Sequence, residues 1–211
     1  MNAAVLCTIP ITEDAWYERE KEPLVGDYVR FITQTRFEGR PAWPYFRSEA
    51  AVIAANLEKI GRLGVAVTLN ATTSDLRQAA SKYAHIILVG HRKGMVLPGD
   101  SLQNRTDFAA GKRLELWDAM LDGDMLCDLY PDRFAGSTVW VVCHSSVPAE
   151  RFRRRYPDAR VFSSDPEVLL GACVVKLYAT LRFMQTHGVP MWQAILAAGE
   201  MIDQIAGESR S

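Results

Sequence analysis

Short segments rich in apolar and β-branched residues recur along the chain, separated by segments with the period of an amphipathic helix. The apolar-rich segments are GVAVTLN at 64–70, AHIILVGH at 84–91, STVWVVCH at 137–144 and ARVFSS at 159–164. A strand that is apolar at successive residues must be covered on both faces, which is typical of a parallel sheet between two layers of helices. The alternation β-α-β-α-β-insert-β-α-β-α-α therefore predicts an α/β fold, a doubly wound three-layer sandwich with a mainly parallel central sheet.

The N-terminal third gives weaker patterns. The charged segment EDAWYEREKEP at 13–23 is typical of a protein surface, and DYVRFITQT at 27–35 alternates as a strand does. Residues 48–62 have an amphipathic pattern that predicts a helix, with Ser48 as its N-cap. Residues 72–83 predict a second, shorter helix, with Ser74 as its N-cap and Asp75 as its first residue.

Length and composition are those of an ordinary globular protein. The 211 residues are 48% hydrophobic, and we expect one domain over residues 1–211. Lysine and arginine number 24 against 25 acidic residues, which leaves a formal net charge of −1. Because proteins that bind nucleic acid usually carry a basic surface, we expect no nucleic-acid partner.

The cysteines and the hydropathy pattern favour a reducing cytoplasm. The four cysteines lie far apart, without a C-x-x-C pair: Cys7, Cys127, Cys143 and Cys173. This spacing argues against a disulfide framework and against a structural zinc site. The most apolar segment is interrupted by Lys176 and Arg182, so we expect no membrane span. No phosphate-binding glycine motif occurs, and we expect no cofactor and no metal.

Two of the predicted strands end on a reactive side chain. AHIILVG leads into His91, and VWVV leads into Cys143. Catalysts gather beyond the carboxyl ends of the strands in an open parallel sheet, so neighbouring strands would bring the two residues together. A cysteine needs a base or a cation nearby to be a thiolate at neutral pH, because its ordinary pKa is about 8.5. The alternative is that Cys143 is a small buried hydrophobe, the usual role of a cysteine after an apolar run and the one that suits the other three.

The other histidines have structural interpretations. His85 lies within a predicted strand and is expected to be a hydrogen-bonded core residue. His144 follows Cys143, and strand alternation turns it to the opposite side, which also argues against a metal held by both. His187 lies near the end of a predicted helix, where its charge suits the helix dipole.

Four segments occur in an order that resembles a known family: TTSDLRQAASKYAHIILVGH, LELWDAML, VWVVCHSS and PMWQAILAAGEMI. Over residues 48–206 the chain resembles the caspase-like cysteine peptidases, especially their CHAT branch. Its Cys-His-Ser run is also similar to that of metacaspases. The resemblance implies a caspase-like sandwich with His91 and Cys143 as the catalytic pair.

The chain departs from that family at two positions. Arg92 stands where the family usually has the glycine whose backbone N–H holds the oxyanion with that of the cysteine; the resemblance assigns this role to the N–H groups of Arg92 and Cys143. Val141 stands where relatives specific for basic side chains often carry an acid. The resemblance places Val141, Ser163 and Asp165 at the substrate pocket. Asp165 could accept an arginine or lysine, or it could cap the helix that follows.

We therefore expect a cysteine endopeptidase that cleaves a protein substrate as a regulated effector, switched on by a partner protein or by cleavage. The polar insert at 97–113 is the expected mobile loop and processing site. One alternative is a catalytically silent caspase-like binding or scaffolding module. Another is a doubly wound domain that binds a nucleotide or a signalling small molecule.

Overall fold

A computed structural model of the chain describes residues 1–22, 29–30, 33, 41–90, 114–142, 145–163 and 170–198. The strands in these ranges are β1 (Ala3–Cys7), β2 (Ala66–Leu69), β3 (His85–Val89), β4 (Leu114–Glu115), β5 (Met120–Leu121), β6 (Ser137–Val141) and β7 (Arg160–Ser163). The helices are α1 (Glu13–Lys21), α2 (Trp43–Arg62), α3 (Thr73–Lys82), α4 (Gly123–Cys127), α5 (Ser146–Arg155), α6 (Leu170–His187) and α7 (191–198).

Five strands form one sheet in the order β2-β1-β3-β6-β7, and each neighbouring pair is parallel. The prediction of an α/β fold around a parallel sheet is therefore confirmed. The strand order reverses at β1, so successive crossovers place helices on opposite faces of the sheet. β4 and β5 form a separate antiparallel hairpin.

The two faces of the sheet carry separate apolar clusters, because side chains alternate along each strand. On one face Ala3, Val5 and Cys7 of β1 pack with residues of α2 and α6. On the other face Ala4 and Leu6 pack with residues of α3, α4, α5 and the β4–β5 hairpin. The helices on both faces explain why the strands are apolar at successive residues.

The N-terminal third differs from the prediction. The charged segment predicted as surface contains α1, in which Trp16 and Arg19 are buried. The strand predicted at 27–35 is wrong at its described residues, since Val29 and Arg30 are helical. α2 begins at Trp43, so Ser48 lies within the helix and is not its N-cap. Pro44 fits because a proline is tolerated in the first turn of a helix, where its missing N–H has no intrahelical partner.

The helices predicted after β2 and β6 are confirmed. The N-cap of α3 is Thr72, so the prediction of Ser74 is wrong, and Ser74 lies within the helix. The Thr72 hydroxyl accepts a hydrogen bond from the Asp75 N–H, while the Asp75 carboxylate accepts one from the Thr72 N–H. This reciprocal capping box satisfies two of the N–H groups that a helix start leaves unpaired. Among the helices of the described residues, none has the length and apolar character to cross a bilayer.

Candidate active site at the carboxyl edge of the sheet

β3 and β6 are neighbours in the sheet, and their last residues are level with each other. The parallel register pairs Val89 with Val141, and the N–H of Gly90 donates to the Val141 carbonyl over 3.2 Å. Val142 is buried directly after β6, and Gly90 is buried directly after β3. The segments that follow β3 and β6 therefore leave the sheet side by side at its carboxyl edge.

His91 is the next residue after Gly90, and Cys143 is the next residue after Val142. Both lie outside the described residues, as do Arg92, His144 and Asp165 and the insert at 97–113. Each of the two predicted catalytic residues therefore follows a buried residue that comes directly after one of two adjacent strands.

The two described residues of the predicted substrate pocket lie near each other. Val141 is buried at the end of β6, and Ser163 is half-buried at the end of β7, where Trp140 is its paired residue. Both residues line a cavity of about 190 Å³, which is partly open to solvent. The cavity lies between β6, β7, α6 and α7.

The helical wall of this cavity was not predicted from the sequence. It contains Cys173, Lys176 and Leu177 of α6 and Ile195 of α7. Cys173 was expected to be a buried hydrophobe, but it is half-buried and faces the cavity. An apolar helix with a lysine in it gives no indication in sequence of which turn borders a cavity, because that depends on how α7 packs back against α6.

The other two described cysteines are confirmed as buried residues. Burial raises the pKa of Cys7 to about 12 and that of Cys127 to about 11. Their thiols stay protonated at neutral pH, and neither Cys7 (0% exposed) nor Cys127 (5% exposed) is accessible as a nucleophile.

His85 lies at the first position of β3, at the amino edge of the sheet. Its Nδ1 is 2.7 Å from the Ser137 hydroxyl of β6, so the expected hydrogen bond is confirmed. Burial lowers the pKa of His85. Because β3 separates it from the carboxyl edge, His85 is not a candidate partner for Cys143.

The β4–β5 hairpin packs against the crevice beyond β1 and β3. A Cβ at Gly90 would lie 2.6 Å from the hydroxyl oxygen of Thr8 and 3.7 Å from the Glu115 carbonyl, so a larger residue there would require the Thr8 side chain to move. The Thr8 N–H donates to the Val89 carbonyl, and the Trp117 N–H donates to the Ala71 carbonyl. The hairpin thus packs close to the carboxyl ends of β1 and β3, the edge where a doubly wound sheet commonly binds its ligand.

Within the described ranges no cluster of three or more histidine, cysteine or acidic side chains could hold a metal ion. The chain matches no protein-family model, and no similar protein was found among curated proteins or solved structures. The resemblance to caspase-like peptidases stays a prediction from the sequence.

Proposed function

We propose that the protein is a cysteine endopeptidase in which Cys143 attacks the scissile carbonyl and His91 transfers the proton. The observation that supports this most is the register of β3 and β6, which pairs Val89 with Val141. His91 and Cys143 are each the second residue after one of these paired positions. Such spacing is what a dyad on neighbouring parallel strands requires.

In this mechanism His91 takes the thiol proton and returns it to the leaving amine, while Cys143 forms the acyl-enzyme that water then hydrolyses. The backbone N–H groups of Arg92 and Cys143 stabilise the oxyanion. A single donor of this kind is commonly worth about 10²–10³-fold in turnover. The reaction uses only side-chain and backbone groups, with no metal or cofactor.

The proposed substrate is a protein, and a partner or a processing cut controls the enzyme. We propose the cytoplasm as its compartment, where a reactive thiol remains reduced. Burial of Cys7 and Cys127 leaves Cys143 and Cys173 as the cysteines that could react in the folded state. This proposal depends on Cys143 being the more nucleophilic of the two.

Cleavage of a mixed peptide library by purified protein tests the proposal. Cys143→Ala and His91→Ala should each lower the rate by about 10⁴-fold or more, because a nucleophile and its base act as a unit. Cys127→Ala is the matched control and should keep the wild-type rate, since its thiol is buried and protonated. Equal cleavage by wild type and Cys143→Ala would exclude the mechanism, and no cleavage by a folded wild type would favour a silent binding module.

A further inference from the structure

The cavity beside the candidate site is apolar over most of its wall. Val139 and Phe162 of the sheet and Leu177 of α6 are among the residues that line it. Val139 and Phe162 are only partly buried, although they belong to strands whose other faces are packed. Part of the apolar surface of β6 and β7 is therefore exposed to the cavity.

The volume of the cavity matches one side chain. An engineered apolar cavity of about 150 Å³ binds benzene, whereas pockets for drug-sized ligands span about 300–1,000 Å³. At about 190 Å³ this cavity holds an aromatic ring or a branched aliphatic group, and it is too small for a nucleotide.

The charges around the cavity disfavour a basic occupant. Of the described residues that line it, none is acidic, and Lys176 is the charged one. Among these described residues, a lysine or arginine side chain would be buried near the like charge of Lys176 and would meet no acidic partner, which is costly. An apolar side chain would instead cover Val139, Phe162 and Leu177.

The cavity borders the strand end that carries the predicted nucleophile. Val141 lines it two residues before Cys143, and Ser163 lines it at the end of the neighbouring strand. We propose that this cavity takes the apolar side chain, such as leucine, methionine or phenylalanine, of the substrate residue whose carbonyl is attacked. This inference rests on the proposed peptidase function and names its substrate class.

Peptides that differ only at the residue before the cleaved bond test the preference. Leucine, methionine or phenylalanine should raise kcat/KM at least about tenfold over lysine or aspartate, since one well-filled apolar pocket discriminates by about 10–200-fold. Cys173→Phe should fill the cavity and lower kcat/KM for the apolar peptides by about tenfold or more. Val175→Phe, on the exposed face of the same helix, is the matched control and should leave it unchanged.

Cleavage mainly after lysine or arginine would overturn the inference while leaving the peptidase intact, and would favour Asp165 as the specificity residue. Cleavage mainly after aspartate would overturn it equally.

A binding measurement decides the inference even if no peptide is cleaved or Cys173→Phe does not fold. In Cys143→Ala, alkylation of Cys173 by iodoacetamide is followed by mass spectrometry with N-acetyl-leucinamide, N-acetyl-lysinamide or neither present. Cys7 and Cys127 are buried and provide internal controls. We expect the leucine amide to slow labelling of Cys173 severalfold and the lysine amide to have no effect. Equal labelling in all three samples would overturn the inference.

Discussion

His85 and His91 belong to the same segment of chain, but the structure puts His85 at the amino end of β3. The sequence could predict that His85 needs a hydrogen-bond partner, because it lies in an apolar strand. It could not identify the partner as Ser137, since that depends on the register of β3 with β6.

The pH dependence of stability tests whether the burial of His85 lowers its pKa in the folded protein. Its folded pKa lies below the ordinary 6.5, so the unfolded chain takes up the proton first. The contribution of neutral His85 to the free energy of unfolding should therefore be complete above about pH 6.5 and should decrease as the pH falls below that value. In His85→Gln, which can still bond to Ser137 but cannot be charged, Tm should fall less steeply between pH 7 and pH 5. Parallel curves of Tm against pH for the two proteins would contradict this role.

The cysteines show what sequence can and cannot predict about single side chains. Cys7 lies inside an apolar run, and its burial follows from the pattern. Cys173 lies in an equally apolar helix, but it borders a cavity because neighbouring elements leave space beside it. Packing between elements, which has no local pattern, decides that difference.

At the level of elements, the β4–β5 hairpin is held to α1 by a buried ion pair. Arg19 Nη2 lies 3.0 Å from Glu115 Oε1, and both side chains are at most 3% exposed. The guanidinium also donates to the carbonyls of Leu116 and Trp117 and lies over the Trp117 ring. Because the partners are far apart in the chain, no local pattern in the charged segment 13–23 could indicate that Arg19 is buried.

Removing one partner of this pair should be strongly destabilising. Arg19→Met removes the buried guanidinium that pairs with the Glu115 carboxylate, and loss of one partner of a buried ion pair typically costs about 3–5 kcal/mol. The double variant Arg19→Met/Glu115→Leu should recover much of that loss.

Urea unfolding of the single and double variants measures both effects. Arg62→Met is the control, because Arg62 pairs with Glu58 on the surface, where the two side chains are 73% and 66% exposed. An exposed pair is worth about 0–1 kcal/mol. If Arg19→Met cost no more than Arg62→Met, the buried pair would not hold the hairpin in place.

At the scale of the whole molecule, the layered α/β architecture follows from the apolar pattern of the strands. Apolar runs that must be covered on both faces required helices on both sides, and this predicted the parallel sheet. The order β2-β1-β3-β6-β7 followed less directly, because the sequence indicates crossovers but not their direction. The predicted strand at 27–35 failed at Val29 and Arg30 because alternation over a few residues does not outweigh tertiary packing.

The same topology brings the ends of β3 and β6 together at one edge of the sheet. β3 and β6 are adjacent, so residues just beyond their ends share an edge, although the strands are far apart in the chain. Sequence reasoning could select His91 and Cys143 as residues at strand ends. It could not establish that these two strands pair with each other. The structure shows that they do, with Val89 opposite Val141.

The rate of alkylation of Cys143 as a function of pH tests the dyad most directly. Iodoacetamide labelling, resolved by mass spectrometry for each cysteine, should give Cys143 an apparent pKa well below 8.5 in the wild type. In His91→Ala that apparent pKa should rise towards 8.5 or above, because the imidazole no longer stabilises the thiolate. An apparent pKa of about 8.5 or higher in both proteins would contradict the proposed pairing of His91 with Cys143.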